Sequence, residues 1–206
     1  MFRLPRLYPI TDRALAGGRP HAEIVDLLCR GGATLIQVRD KSLSDRLLAA
    51  EAKAAVAAAR RAGARLIIND RADVAAIAGA DGVHVGGDDL PAGAARALLG
   101  PGAIIGCSTH GVEEAVAAAA LPVNYVALGP IFATPNASVR REPLGLQAVA
   151  RAAAAIGLQL VAIGGIDVER AAEVLAAGAA TVAVMSDLMT SRDMAARVGE
   201  YLALAS

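Results

Sequence analysis

The sequence predicts an α/β fold, a closed (β/α)8 TIM barrel that residues 1–206 form as one domain. Eight short apolar runs recur, most of them at intervals of about 20–30 residues, which is the length of one βα unit. Alanine-rich stretches of helical period separate the runs, and no linker divides the chain. The alternative, an open doubly wound sheet, normally has fewer strands and a G-x-G-x-x-G motif after its first strand, which is missing here.

The apolar runs are rich in Val and Ile and are apolar on both alternating faces, as is typical of strands buried in a parallel sheet. Most follow a hinge of small residues, for example GGATLIQV at 31–38 and AGARLIIN at 62–69. The pattern predicts eight strands, which begin at Leu7, Thr34, Arg65, Gly82, Ile104, Tyr125, Leu160 and Thr181.

The stretches between the strands predict helices, since alanine has the highest helix propensity. The clearest is 44–61, where Ser44 suits the N-cap and four apolar residues are expected to share a buried face: Leu47, Leu48, Ala55 and Val56. The segment 129–144 is the one long irregular stretch, of the kind that often forms an active-site lid. The helices are predicted to begin near His21, Ser44, Arg71, Pro91, Val112, Leu146, Val168 and Arg192.

Charge and composition exclude several classes of protein. The chain has 20 basic and 20 acidic residues, and its basic residues form no run longer than a pair, so we expect no nucleic-acid partner. No segment reaches the ~18 apolar residues that a spanning helix needs, and the N-terminal MFRLPRLYPITD lacks the apolar region of a secretory signal. Cys29 and Cys107 show neither disulfide nor zinc-ligand spacing. We therefore expect a cytoplasmic protein without membrane partners, and a homo-oligomer is compatible with the sequence.

Polar residues follow the predicted strands, at the end of a barrel where active sites lie. The strands themselves carry almost no charge, so the polar groups concentrate at one rim. They are Thr11–Asp12, Gln37–Lys41, Asn69–Asp70, Asp88–Asp89, Cys107–His110, the segment 129–144, Gly164–Gly165 and Met185–Asp187.

Arg39 and Lys41 alternate on one extended segment, with Gln37 in phase behind them. Two cations together with neutral donors such as Asn69 and Ser108 suit a diphosphate group. The alternative is that both cations only pair with Asp40 or a neighbouring rim acid.

Asp70 and Asp89 follow different strands, and converging carboxylates suit Mg²⁺, which completes its shell with water and phosphate oxygens. The alternative is that either residue caps the helix after it, and for Asp88 we favour capping. The Gly164–Gly165 and Met185–Ser186 turns predict a second anion site, where backbone N–H groups hold a monophosphate. The alternative there is a tight turn only.

The histidines give little support to nucleophilic catalysis. We expect His21 to begin a helix at the surface and His84 to be a hydrogen-bonded core or rim residue. No acid stands near His110 in a pattern that would suggest a triad with Ser108, so a Ser/His hydrolase is not predicted.

Six motifs in order resemble the thiamine phosphate synthase family over almost the whole chain. They are QVRDK (37–41), IINDRADVA (67–75), ADGVHVGGDDLP (80–91), IGCSTH (105–110), ALGPIFATP (127–135) and AIGGI (162–166). The resemblance implies a transferase that joins 4-amino-2-methyl-5-(diphosphooxymethyl)pyrimidine to a thiazole phosphate or its carboxylated form. The products would be thiamine phosphate and pyrophosphate, with Mg²⁺ as the cofactor and no general base in the joining step.

The resemblance also implies roles for individual residues. Asp70 and Asp89 match the Mg²⁺ ligands, and Arg39, Lys41 and Ser108 match catalytic positions. The pyrimidine diphosphate contacts match Gln37, Val38, Arg39, Asp40, Lys41, Asn69 and Ser108. The thiazole phosphate contacts match Thr134, Pro135, Asn136, Gly165, Met185 and Ser186.

One departure from the family pattern keeps alternatives open. Ala137 stands where the family has a lysine that touches pyrophosphate, and we hypothesise that Arg140 or Arg141 reaches in instead. The related thiazole tautomerases share the scaffold, but the histidine of a well-known form corresponds to Pro130 here, which favours the synthase. The missing lysine motivates a further alternative, a barrel without activity that binds a phosphate ligand.

Overall fold

Eight parallel strands alternate with helices in the computed structural model, which describes residues 2–134 and 141–204. The strands are β1 (Leu7–Pro9), β2 (Leu35–Val38), β3 (Arg65–Asn69), β4 (Gly82–Val85), β5 (Ile104–Thr109), β6 (Tyr125–Leu128), β7 (Gln159–Ile163) and β8 (Thr181–Val184). The helices are α1 (His21–Arg30), α2 (Asp45–Arg61), α3 (Ala72–Ala78), α4 (Ala92–Leu99), α5 (Val112–Ala119), α6 (Gly145–Ala155), α7 (Val168–Ala176), α8 (Ser186–Met189) and α9 (Met194–Ala203).

The strands close into a barrel. Each pairs in parallel with its neighbours in the order β1-β8-β7-β6-β5-β4-β3-β2. Thr11 N donates to Gln37 O at 2.8 Å, and a parallel bridge joins Ile10 to Gln37, so the segment after β1 meets β2. The predicted (β/α)8 TIM barrel is confirmed.

Two apolar layers arise because successive side chains of a strand point to opposite faces, and both faces of this sheet are buried. The larger layer lies between the sheet and the helices, whose alanines let them pack closely on it. The smaller layer fills the barrel interior and includes Tyr8, Leu35, Ile67, Ile104, Tyr125 and Val161.

Gly106 makes room for Tyr125 inside the barrel. Gly106 of β5 is paired with Tyr125 of the neighbouring strand β6, and a Cβ at position 106 would overlap the Tyr125 ring. The glycine in β5 therefore fixes where the Tyr125 hydroxyl stands, and the functional site below depends on that position.

The predicted element boundaries agree closely with the structure, with a few corrections. Strands β2 and β7 begin at Leu35 and Gln159, one residue from the predicted starts, and the short helix α8 was not predicted. Ser44 is the N-cap residue of α2, but its side chain makes no capping hydrogen bond. The prediction that Leu47 shares the buried face of α2 was wrong: it is 54% exposed, whereas Leu48, two helical turns before Ala55, is buried.

His21 begins α1 as predicted, but the expected surface position was wrong, because the residue is completely buried. Its backbone N–H donates to Glu51 of α2 at 2.8 Å, so the start of α1 is held against the neighbouring helix. Among the helices that the structure describes, none combines the length and the apolar character needed to cross a membrane.

Candidate active site

A cavity of about 600 Å³ opens at the carboxyl ends of the strands. Polar groups predicted from widely separated motifs meet around it, because parallel strands end at one face of a barrel. The predicted residues that line it are Gln37, Arg39, Lys41, Asn69, Asp70, Asp89, Ser108, Thr134, Gly165, Met185 and Ser186.

Gln37 of β2 lines this cavity, as do Arg39 and Lys41 at the next alternate positions, in the segment that continues the strand. Arg39 Nη1 lies 3.4 Å from Oδ2 of Asp12, and Lys41 Nζ lies 3.5 Å from Oδ2 of Asp70. The pairing with rim acids that we considered as an alternative is therefore present. Both cations nevertheless face the cavity, so the pairs hold them at its wall.

Val38 and Asp40 point away from the cavity. The Val38 side chain is buried between the sheet and the helices. The Asp40 carboxylate accepts hydrogen bonds from Ser42 N at 2.8 Å, Ser42 Oγ at 2.7 Å and Leu43 N at 3.1 Å. A ligand in the cavity can therefore meet only the backbone of these two residues.

Asp70 and Asp89 stand against each other at the cavity wall. Burial and the hydrogen bond and negative charge of Asp89 together raise the pKa of Asp70, although Lys41 acts in the opposite direction. Asp89 Oδ2 accepts from Gly86 N at 2.7 Å. Asp70, Asp88 and Asp89 do not cap helices: the N-cap residues of α3 and α4 are Arg71 and Pro91.

The Asp70 backbone has φ 62°, the one left-handed conformation among the described residues other than glycine. This conformation costs most L-residues of order 1 kcal/mol or more, and aspartate and asparagine tolerate it best. The strained backbone turns the side chain of the first residue after β3 toward Asp89.

The donor set at Asp70 and Asp89 fits Mg²⁺. A carboxylate whose ionisation is disfavoured by its acidic neighbour gains from a divalent cation beside it, and Mg²⁺ typically takes one or two carboxylates plus substrate phosphates. Within residues 2–134 and 141–204, no cluster of three or more His, Cys, Asp or Glu side chains could form a metal cage from protein alone. A metal at this pair would therefore need oxygens from water and ligand.

Five polar side chains from five strands form a continuous hydrogen-bonded network below the cavity. Gln37 Nε2 donates to the Tyr8 hydroxyl at 3.0 Å, and that hydroxyl lies 3.0 Å from the Tyr125 hydroxyl. The Tyr125 hydroxyl lies 3.0 Å from His84 Nδ1, and His84 Nε2 lies 2.8 Å from Ser108 Oγ. The network ends at Gln37 and Ser108, which both line the cavity.

Burial lowers the pKa of His84 to about 4, so the imidazole is neutral at neutral pH. Burial also raises the pKa of Tyr8 and Tyr125, which remain protonated. The prediction that His84 is a hydrogen-bonded core histidine is confirmed. Its contact with Ser108 was not foreseen, but the second ring nitrogen meets a tyrosine rather than a carboxylate, so this pair lacks the third member of a hydrolase triad.

The opposite wall of the cavity carries Gly164 and Gly165, whose φ values are 105° and 64°. A Cβ on Gly165 would overlap the carbonyl oxygen of Ala133, and Phe132 N donates to Gly164 O at 3.0 Å. The glycines thus let the segment after β6 pack closely on the segment after β7. Ser186 is the first residue of α8 at the same wall.

Two charged side chains of this wall received no role in the sequence analysis: Arg170 was not considered, and Asp187 was placed only at the rim. Arg170 Nη1 donates to Gly165 O at 2.7 Å, and its guanidinium lies 5.0 Å from the centroid of the Phe132 ring. Asp187 also lines the cavity, and its carboxylate accepts from the Tyr201 hydroxyl at 2.8 Å. Their signal is weak because a charged residue in the first turn of a helix is usually only solvated.

Thr134 and Arg141, the described residues that flank 135–140, both line the cavity. Pro135 and Asn136, predicted to contact thiazole phosphate, lie outside the described residues, as do Ala137 and Arg140. Of the two arginines considered as replacements for the family lysine, Arg141 is therefore the one whose position is described.

Comparisons with known proteins agree with this geometry. Residues 7–188 match the family model described as thiamine monophosphate synthase. The chain is 47% identical to a thiamine-phosphate synthase of Methanoculleus marisnigri over 92% of this chain and 90% of that one. It is 41% identical to one of Chloroflexus aurantiacus over 98% of this chain and 93% of the relative. A solved thiamine phosphate pyrophosphorylase of Pyrococcus furiosus superposes with a TM-score of 0.88 at 34% identity, covering 97% of this chain and 94% of that one.

Proposed function

The chain belongs to the thiamine monophosphate synthase family, and we propose that the cavity described above is where it joins its two substrates. As an enzyme of this family, a transferase, it condenses 4-amino-2-methyl-5-(diphosphooxymethyl)pyrimidine with a thiazole phosphate, or its carboxylated form, and releases pyrophosphate. The observation that carries the site assignment is the composition of one cavity: acids and cations at one wall, and glycine-rich backbone at the other.

The wall with Arg39, Lys41 and Asn69 would bind the diphosphate. Arg39 and Lys41 lie beside Asp12 and Asp70 at this wall, so both present positive charge to the cavity. Asp70 and Asp89 would hold Mg²⁺, which when bound neutralises part of the charge on the leaving diphosphate.

The floor of the cavity would bind the pyrimidine ring. Gln37 and Ser108 are the ends of the hydrogen-bonded network, and every member of that network is neutral at neutral pH. A neutral, rigid set of donors and acceptors suits an aminopyrimidine, because it orients the ring without an uncompensated buried charge.

The reaction needs charge stabilisation more than proton transfer. The bond between the pyrimidine methylene carbon and the diphosphate oxygen breaks, and the bonding pair leaves with pyrophosphate. The electron-rich ring supports the resulting carbocation, and the thiazole nitrogen then donates its lone pair to form the new C–N bond. These steps are consistent with a site that offers Arg39 and Lys41 and, within residues 2–134 and 141–204, no complete Ser/His/Asp triad.

The glycine-rich wall would hold the thiazole phosphate. Backbone N–H groups around Gly165 and Ser186 suit a monophosphate, in line with the use of these loops in other barrels. Thr134 and Met185 would contact the same substrate, and Pro135 and Asn136 remain predictions. Both described cysteines are free, which fits a reducing compartment, and we propose the cytoplasm as the place of the reaction.

A two-substrate assay tests the proposal. Purified protein is mixed with the pyrimidine diphosphate, the thiazole phosphate or both, with Mg²⁺ or with EDTA, and pyrophosphate and thiamine phosphate are measured. We expect both products only when both substrates and Mg²⁺ are present. Conversion of a thiazole phosphate isomer alone would instead indicate a tautomerase, and tight binding without turnover would indicate a barrel that only binds its ligand.

A further inference from the structure

A second buried cluster of titratable groups lies behind the diphosphate wall. The His21 side chain is completely buried, and its Nδ1 lies 2.8 Å from Thr11 Oγ1. Its Nε2 lies 3.4 Å from Oδ2 of Asp40, whose side chain is 4% exposed. None of these three side chains lines the cavity.

The two ring nitrogens of His21 reach the two ends of one short segment. On one side, Thr11 Oγ1 accepts the backbone N–H of Arg39 at 3.3 Å. On the other side, the Asp40 carboxylate holds the backbone N–H groups of Ser42 and Leu43. The segment 39–43 is therefore anchored before and after Lys41.

The charge state of the cluster fits such an anchor. Burial lowers the pKa of His21, although Asp40 and Glu51 favour the proton, and Arg13 adds to the lowering. The imidazole is thus neutral at neutral pH. With its proton on Nε2, the ring directs an N–H toward the Asp40 carboxylate, although the 3.4 Å approach falls short of a hydrogen bond. Nδ1 accepts from the Thr11 hydroxyl, so Thr11 Oγ1 can accept from Arg39 N.

We propose that His21 is a positioning residue that holds the segment 39–43 so that Arg39 and Lys41 meet the diphosphate together. This inference rests on the proposed function for the identity of the ligand. It adds a residue from α1 that does not touch substrate, and it gives Asp40 a role as the anchor of the cationic segment rather than as a ligand contact.

The physical consequence of losing this anchor is specific to one substrate. A segment that adopts the binding conformation only part of the time weakens the apparent affinity by that fraction. The thiazole phosphate would bind at the opposite wall, so its affinity should not change. A general loss of packing would instead lower stability without distinguishing the two substrates.

The test compares His21→Leu, His21→Gln and His21→Asn with Val25→Ala, a cavity-forming change at another buried position of α1. Steady-state KM values are measured for each substrate below the melting temperature of every variant. We expect His21→Leu to raise KM for the pyrimidine diphosphate by about tenfold, with KM for the thiazole phosphate unchanged within about twofold. His21→Gln, which keeps a donor near Nε2, and His21→Asn, which keeps a polar atom near Nδ1, should each restore part of the loss. Val25→Ala should change neither KM.

Calorimetric binding of inorganic pyrophosphate with Mg²⁺ provides a readout that needs no turnover. Weaker binding by His21→Leu than by Val25→Ala supports the anchor even if the two-substrate assay shows no product, in which case only the proposed function fails. Equal binding by both, or an equal rise of both KM values, would overturn the positioning role. If His21→Leu does not fold, Thr11→Val is compared with Thr11→Ser. Serine keeps the hydroxyl that bridges His21 and the Arg39 backbone, so only Thr11→Val should weaken pyrophosphate binding.

Discussion

Lys41 Nζ lies 3.5 Å from the carboxylate of Asp70. Asp70 also has Asp89 as a neighbour at the cavity wall. A cation from the segment after β2 thus compensates part of the repulsion between two acids from the segments after β3 and β4. Asp70 also has a left-handed backbone. Repulsion and strain at one residue are typical of a site that is kept for function at a cost in stability.

Replacing Asp70 by asparagine should separate function from stability. Asparagine tolerates the left-handed backbone and removes the repulsion with Asp89, whereas the lost pair with the largely exposed Lys41 is worth little. We expect Asp70→Asn to melt no lower than the wild type without Mg²⁺, and to lose roughly 10²-fold or more in turnover. Melting curves and the two-substrate assay measure both effects.

Asp88→Asn is the matched control, since it makes the same charge change at the exposed neighbour of Asp89. Asp88 lies at the cavity but has no proposed contact with the metal or the substrates, so this variant should keep most of the activity. Wild-type turnover by Asp70→Asn would show that the proposed metal position is wrong.

The buried His84 should make stability depend on pH. Its pKa is about 4 in the folded protein and about 6.5 in an unfolded chain. The unfolded state therefore binds more protons between these values, so the contribution of His84 is complete above pH 6.5 and is lost as the pH falls toward 4. Between pH 7 and pH 5 the loss should be about 2 kcal/mol of unfolding free energy.

Urea unfolding of the wild type and His84→Gln at several pH values measures this contribution. The difference in unfolding free energy between the two proteins should shrink as the pH falls, because glutamine does not titrate. The pKa of His21 is also lowered, but His21 is present in both proteins and does not change the difference. His110→Gln serves as the control, since His110 is partly exposed at the rim beside Glu114. A difference that stays constant with pH would contradict the neutral, buried state of His84.

Arg170 should matter for the thiazole phosphate alone. Its guanidinium sits on Gly165 O and Phe132 at the glycine-rich wall, within the cavity, where it can approach a bound phosphate. Loss of a charge-assisted contact of this kind typically weakens binding by about tenfold. We expect Arg170→Ala to raise KM for thiazole phosphate by that factor with little effect on the other substrate, whereas Arg151→Ala on α6 should affect neither.

Arg96 of α4 should stabilise the fold without affecting catalysis. Its guanidinium donates to the carbonyl oxygens of residues 100, 101, 103 and 122 and to Asn124 Oδ1. The turn after α4 and the turn before β6 are thus tied together away from the cavity. We expect Arg96→Ala to lower the unfolding free energy by about 2 kcal/mol, measured in urea, with unchanged KM values. A change in either KM with unchanged stability would contradict this purely structural role.

The sequence alone determined the order and position of the strands and the ring of polar residues after them. Each strand is a local apolar run, most of them preceded by a hinge of small residues, and parallel strands bring the residues that follow them to one face. For this reason Arg39, Lys41, Asp70 and Asp89 could be assigned to a common mouth before their distances were known.

Which of these side chains touch and which turn away depends on contacts between segments that are distant in the chain. Periodicity specifies that a position is buried, but not what stands opposite on another strand, so the His84–Ser108 contact and the repulsion between Asp70 and Asp89 had no local signal. The burial of His21 and the exposure of Leu47 depend in the same way on how α1 and α2 pack. Side-chain partners are set by contacts between distant segments, and a single local pattern does not contain them.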